Sequence, residues 1–204
     1  MTSSTLHRTP RPRPSATVAL ILSCAAIATS LQAETVVFDP TRTTVAFTLG
    51  DVLHTVRGSF KLKSGVIHFD SSTGKASGSV VVDATSGESG SGARDRRMHK
   101  NILESERYPE IVFMPDGVSG KIPGQGMAVV QVHGLFRIHG AGHEMTVPVQ
   151  VQAEATQVTA STRFSVPYVK WGMKNPSTFF LKVNETVDLS VHAVGQLSAE
   201  DGSN

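Results

Sequence analysis

The stretch Met145-Thr146-Val147-Pro148-Val149-Gln150-Val151-Gln152-Ala153 decides the fold class. Val147, Val149, Val151 and Ala153 alternate strictly with Pro148, Gln150 and Gln152. A period of two describes a β-strand with one buried and one wet face, which is the habit of antiparallel sheets. The neighbouring sequence repeats it. Met127 to His139 sets Val130, Val132, Phe136 and Ile138 on one face and Gln131, His133 and Arg137 on the other. Gly140-Ala141-Gly142 reads as the reversal between these two strands. Thr156 to Val166 and Thr186 to Gln196 continue the pattern.

Upstream, Thr43 to Leu49 alternates Val45, Phe47 and Leu49 with smaller or polar residues. Val56 to Lys63 reads as a strand with Phe60 and Leu62 on opposite faces. Gly65 to Asp70, Ala76 to Ala84 and Glu110 to Met114 are further strands, with turns at Ser71 to Gly74, Asp116-Gly117 and Pro123 to Gly126. About eight strands in a domain of this size predict a barrel or a sandwich, and closure without exposed edges favours the barrel. A barrel of about eight strands is just wide enough to fill itself with side chains or to hold one small ligand.

One stretch breaks the β pattern. Asp95 to Ser105 reads as a short helix, with Met98, Ile102 and Leu103 on its apolar side and Tyr108-Pro109 as its stop. Arg94, Arg96, Arg97, His99 and Lys100 crowd its first turns, where the helix dipole disfavours cations. They form either a solvated basic face, steadied by a Lys100–Glu104 pair, or a surface that meets something anionic.

Residues 1–33 read as a cleaved signal peptide, leaving 34–204 as one β-barrel domain. His7, Arg8, Arg11 and Arg13 make its basic region, Ala16 to Ala28 its apolar core, and Leu31-Gln32-Ala33 its cleavage site. Ile21-Leu22-Ser23-Cys24 resembles a lipoprotein box, which would make Cys24 a lipidated N-terminus; the apolar run past it argues for ordinary cleavage. The expected location is therefore secreted and periplasmic. The chain has 19 Lys+Arg and 17 Asp+Glu, and three of the arginines lie in the acid-free leader. The remainder is close to neutral, which gives no support for nucleic-acid binding. Cys24 is the single cysteine, so the domain has neither disulfide nor thiol chemistry and relies on its core.

Three segments together resemble the YceI-like family of secreted, lipocalin-like proteins that bind polyisoprenoid lipids. They are T-V-A-F-T-L-G-D-V-L-H-T-V-R-G-S-F from Thr44, R-D-R-R-M-H-K-N-I-L-E-S-E-R-Y-P-E-I-V-F from Arg94, and V-H-G-L-F-R-I-H-G-A-G-H-E-M-T-V-P-V from Val132. The resemblance implies an antiparallel eight-stranded barrel around an apolar tunnel, with the helix beside its mouth. It implies a non-enzymatic carrier of a polyisoprenoid, an isoprenoid quinone or another long-chain lipid, with no cofactor and transient membrane contact. Two runs depart from the family's usual pattern, Gly50 to Thr55 and Pro167 to Pro176, as in a divergent subgroup.

Such a ligand needs a dry lining and a few polar groups at the opening. The lining candidates are Phe47, Phe60, Phe113, Phe136, Val149, Phe164 and Trp171, each of which could equally be barrel core. The head-group candidates are Arg94, Asp95, His99, Tyr168 and Lys170; Arg94 and Asp95 could instead pair to fix their loop. A competing reading places a metal or hydrolytic site at His139 and His143, which flank the tight turn. His133 would lie about 20 Å from His139 along the strand, and two histidines alone make a poor zinc site. No nucleophile elbow, phosphate loop or dinucleotide fingerprint is present. A third reading is an envelope protein that binds a partner and no ligand.

Overall fold

A computed structural model describes residues 1, 33–50, 55–122, 124–179 and 182–199. The expected leader, Cys24 and residues 51–54 lie outside the described residues, apart from Met1 and Ala33. Nine strands follow in order: β1 (Ala33–Phe38), β2 (Thr44–Gly50), β3 (Thr55–Asp70), β4 (Ala76–Glu88), β5 (Glu110–Ser119), β6 (Gly126–Ile138), β7 (Ala141–Glu154), β8 (Gln157–Val166) and β9 (Val187–Ala199). All pairings are antiparallel, and the circuit from β2 through β9 closes on itself.

The barrel has eight staves because β1 and β2 share one. β1 pairs with Val66 to Asp70 of β3 and Gly195 to Ala199 of β9, while β2 pairs with Thr55 to Phe60 and Asp188 to His192 of the same two strands. Between β1 and β2, the Asp39 carboxylate accepts from the Thr41 amide and hydroxyl at 2.8 and 2.7 Å. The Asp39 carbonyl accepts from the Thr43 hydroxyl at 2.8 Å. These bonds satisfy the backbone where Pro40 interrupts the ladder.

Other irregularities also have chemical causes. β3 is one long strand where the sequence suggested two, and its pairing with β4 shifts register between Ser59 and Ser64. Phe60 and Leu62 both face the interior, as residues two apart on a strand do, which corrects the expected split. β5 runs through the expected Asp116-Gly117 turn, which is a register shift beside Pro115. The β7–β8 ladder stops at Val149 opposite Thr162. The next β7 residue is Pro148, whose carbonyl faces β8 and accepts from the Thr162 hydroxyl at 2.7 Å. Having no N–H to offer, Pro148 ends the pairing. Beyond it β7 pairs with β6 alone and β8 with β9 alone.

The β6–β7 reversal is His139-Gly140, one step earlier than the expected glycine cluster. Their φ values of 52° and 77° are those of a two-residue turn whose twist suits a hairpin. The Tyr108 ring lies 2.5 Å from where a Cβ on Gly140 would sit, so glycine is needed there twice over.

The helix starts earlier than expected. α1 (Gly92–Arg97) carries Arg94, Arg96 and Arg97 in its last turn, where cations suit the dipole, and not in its first. It continues as a π-helical turn over Met98–Leu103 and ends at Glu104, in the left-handed region at φ 47°. Glu104, and not Tyr108-Pro109, is therefore the stop. Two groups of buried side chains line the barrel wall. One at the helix end includes Ala84, Leu103, Ile111, Phe136, Tyr168 and Met173; one at the opposite end includes Val36, Phe38, Leu62 and Ala193.

Candidate ligand-binding tunnel

The interior of the barrel is not filled. A cavity of about 990 Å³ runs from Arg94, Arg97 and Pro176 at the helix end to Ser71, Val118 and Gly124 at the other. β7, fourteen residues long, would by strand rise and barrel tilt span roughly 35 Å of this axis. The wall is underfilled because many inward positions are Val or Ala: Val130, Val132, Val147, Val149, Val151, Ala160 and Val191 all border the space.

Six of the seven lining candidates face this cavity: Phe47, Phe60, Phe113, Phe136, Val149 and Phe164. Phe47 and Phe60 meet at 5.4 Å between ring centroids, and Phe136 meets Phe164 edge-on at 5.9 Å. Aromatic pairs in this range favour tilted and edge contacts over flat sandwiches. Trp171 is not among the residues that border the space. It packs behind Phe136 at 5.9 Å and lies flat against His143.

Polar groups inside the barrel are spent on the protein. Thr162 donates to Pro148, and Thr43 donates to Asp39. The polar groups at the helix end are Ser89, Ser91, Arg94 and Arg97. Arg94 Nε donates to Ser89 Oγ and its Nη2 to the Ser89 carbonyl, both at 2.7 Å. Asp95 accepts from the Ser89 amide at 2.9 Å and from its hydroxyl. Arg94 and Asp95 thus converge on Ser89 and fix the loop, yet Arg94 still borders the cavity while Asp95 does not. Arg97, which the sequence reading did not choose, borders it as well and donates to the Pro176 carbonyl at 3.1 Å. Its adjacency to the other arginines was the available signal.

His99 points away from the ligand space and works as a brace. The Gly87 carbonyl can only accept, so Nε2 donates to it at 2.8 Å, and in the neutral ring Nδ1 accepts from Ser105 at 3.0 Å. Ser105 is 3 % exposed, so this links the turn after the helix to β4. Gly87 lets the parts meet closely, since a Cβ there would lie 2.4 Å from the Phe60 ring and 2.8 Å from Met98. Tyr168 borders the cavity, and its hydroxyl donates to the Asn184 carbonyl at 2.7 Å. Burial, with a smaller contribution from Glu185, pushes its phenol up to about 12, so it stays a neutral donor. Lys170 is exposed and does not border the cavity.

The histidines do not converge. His139 lies against the Tyr108 ring at 4.8 Å, with Nε2 3.4 Å from Glu104 Oε1, so Glu104 faces His139 and not only Lys100. His143 goes to Trp171, and His133 bonds Asp116 at 2.6 Å on the outer face. Among the described residues no group of three or more His, Cys, Asp or Glu is arranged to hold a metal ion.

Comparison with known proteins agrees with this geometry. The YceI-like domain matches residues 37–195. No curated protein matches the chain. Among solved structures, Burkholderia cenocepacia BcnA superposes with a TM-score of 0.63 at 17 % identity, covering 77 % of this chain and 98 % of that one. A polyisoprenoid-binding domain from Saccharophagus degradans, implicated in plant cell wall breakdown, gives 0.65 at 15 %, covering 80 % and 98 %. The Campylobacter jejuni YCEI protein gives 0.59 at 16 %, covering 71 % and 86 %. At such identities these likenesses establish a shared fold.

Proposed function

The chain belongs to the YceI-like domain family, and from that premise we propose that it is a non-enzymatic, periplasmic carrier or store of an elongated apolar lipid. The ligand class that fits is a polyisoprenoid or an isoprenoid quinone. The observation that carries this reading is the 990 Å³ cavity, apolar along its length, with its charged groups gathered at one end. That volume is at the top of the range for small-molecule sites. Each methylene transferred from water contributes about 0.8 kcal/mol, so a tail of ten would supply about 8 kcal/mol before ordering costs. Affinity then comes from length, and Arg94 and Arg97 orient the polar end at the rim.

The test is mass spectrometry of an organic extract from the full chain expressed in a bacterial host and purified from the periplasm. A stoichiometric long-chain lipid, lost when Phe136 is changed to Asp, is the expected result. A protein that emerges empty and takes up neither added ubiquinone-8 nor a polyprenol would overturn the reading.

A further inference from the structure

We propose that the rim at the helix end is a docking surface for an anionic lipid bilayer, with Phe179 as the inserting side chain and exposed cations as its electrostatic footing. Two observations carry it independently. The first is a projecting tip. The Asn175 carboxamide oxygen accepts from the Ser177 amide at 2.8 Å, and Ser177 Oγ accepts from the Val183 amide at 2.8 Å. These bonds pinch the chain at Ser177 and Val183, so the residues between them form a loop with a fixed base. Phe179 in that loop is 91 % exposed. Pro176 and Val183, on either side of it, border the cavity, so the loop rises from the rim.

The second observation is charge. Two segments frame this opening: the helical one over Gly92 to Leu103 and the one over Pro167 to Thr186. They carry Arg94, Arg96, Arg97, Lys100, Lys170, Lys174 and Lys182, all exposed. Against these stand Asp95, tied to Ser89, and Glu185. The opposite end of the barrel is reversed in sign, with Lys75 and Lys121 against Glu34, Asp70 and Glu154 at its strand ends and turns. The molecule is therefore polarised along its axis, and the positive pole coincides with the exposed Phe179. A lone exposed apolar residue needs no explanation. An aromatic side chain ringed by cations has the chemistry of an interfacial anchor on anionic lipid. The proposal stands on the rim alone and does not require the tunnel to hold a lipid.

The test is co-sedimentation of the full chain, purified from a bacterial periplasm, with vesicles. One set is pure phosphatidylcholine, and in the other about a third of the lipid is phosphatidylglycerol. The expected result is binding to the anionic vesicles at least about tenfold tighter than to the neutral ones, weakening as salt rises. Phe179→Ser and Lys174→Glu/Lys182→Glu should each weaken it by about tenfold, the second also flattening the salt dependence. Both variants should keep the wild-type thermal midpoint and ubiquinone-8 uptake, which shows that they fold. Equal or absent sedimentation with both vesicle sets, or wild-type binding by Phe179→Ser, overturns the docking surface. If ubiquinone-8 still enters the barrel in that case, the carrier reading stands without it. Anionic-vesicle binding by a chain that takes up no ubiquinone-8 supports the docking surface and removes the carrier.

Discussion

Trp171 lies flat on His143, with ring centroids 3.9 Å apart and planes within 4° of parallel. The contact sits where β7 has parted from β8, so it joins the segment after β8 to a wall that hydrogen bonds no longer hold. Burial lowers the His143 pKa, and its Nε2 has no hydrogen-bond partner among the described residues. The unfolded chain takes up a proton at this ring near pH 6.5, before the folded chain does. Stability contributed by the neutral ring is therefore lost as pH falls below that value. Replacing His143 with Phe keeps the stack and removes the titration. The wild-type melting temperature should drop between about pH 7 and pH 5 by some 1–3 °C more than that of His143→Phe. His133, raised by its bond to Asp116, pulls the opposite way in both proteins and cancels from the comparison.

Val149 faces open space, so enlarging it should fill the tunnel without crowding the core. Val149→Trp is expected to keep or raise the melting temperature while reducing ubiquinone-8 uptake by about tenfold or more. Fluorescence titration beside calorimetry checks both halves. An unchanged affinity would mean that the ligand does not reach mid-barrel.

His99 and Arg97 separate bracing from binding. His99→Leu leaves the Gly87 carbonyl and Ser105 hydroxyl without their partner and should cost about 1–3 kcal/mol in denaturant unfolding. Uptake by the folded fraction should be unaltered. Arg97→Gln removes a charge from the rim and should weaken binding of a lipid with an anionic head more than of a neutral polyprenol.

Gly140→Ala places a Cβ against the Tyr108 ring in a backbone of positive φ. The expected loss is about 1–3 kcal/mol, read from urea unfolding. Because Tyr108 also carries the His139 ring contact, Tyr108→Leu in the same chain should recover part of that loss.

Much of the wall was legible in the sequence because period two is a local signal: Val147 to Ala153 states which residues share a face. The tunnel itself was less legible. Nothing in Phe136 or Val149 alone tells core from ligand wall, because that depends on how far apart opposite staves stand. The polar candidates failed for a different reason. His99 and Asp95 have the chemistry of a binding site, yet their partners are Gly87, Ser89 and Ser105, which only the folded helix brings within reach. Trp171 was drawn away from the cavity by His143, a ring far from it in sequence. Arg97 was passed over because helical phase, not composition, turns it toward the opening, and the helix starts at Gly92 where Asp95 was expected.

The stave shared by β1 and β2 has a consequence for how the molecule comes into being. Both strands at the start of the barrel pair with β9 at its end, so the last circuit partner of the first residues is the last strand to emerge from the ribosome or a translocation pore. Before β9 arrives, the other strands can form at most an open ribbon with raw edges at β2 and β8. Closure must await the complete chain, and contacts of such sequence separation are slow to form. A polypeptide crossing a membrane is thereby kept from prematurely acquiring an interior, and a truncation that removed β9 would leave an aggregation-prone sheet and no vessel.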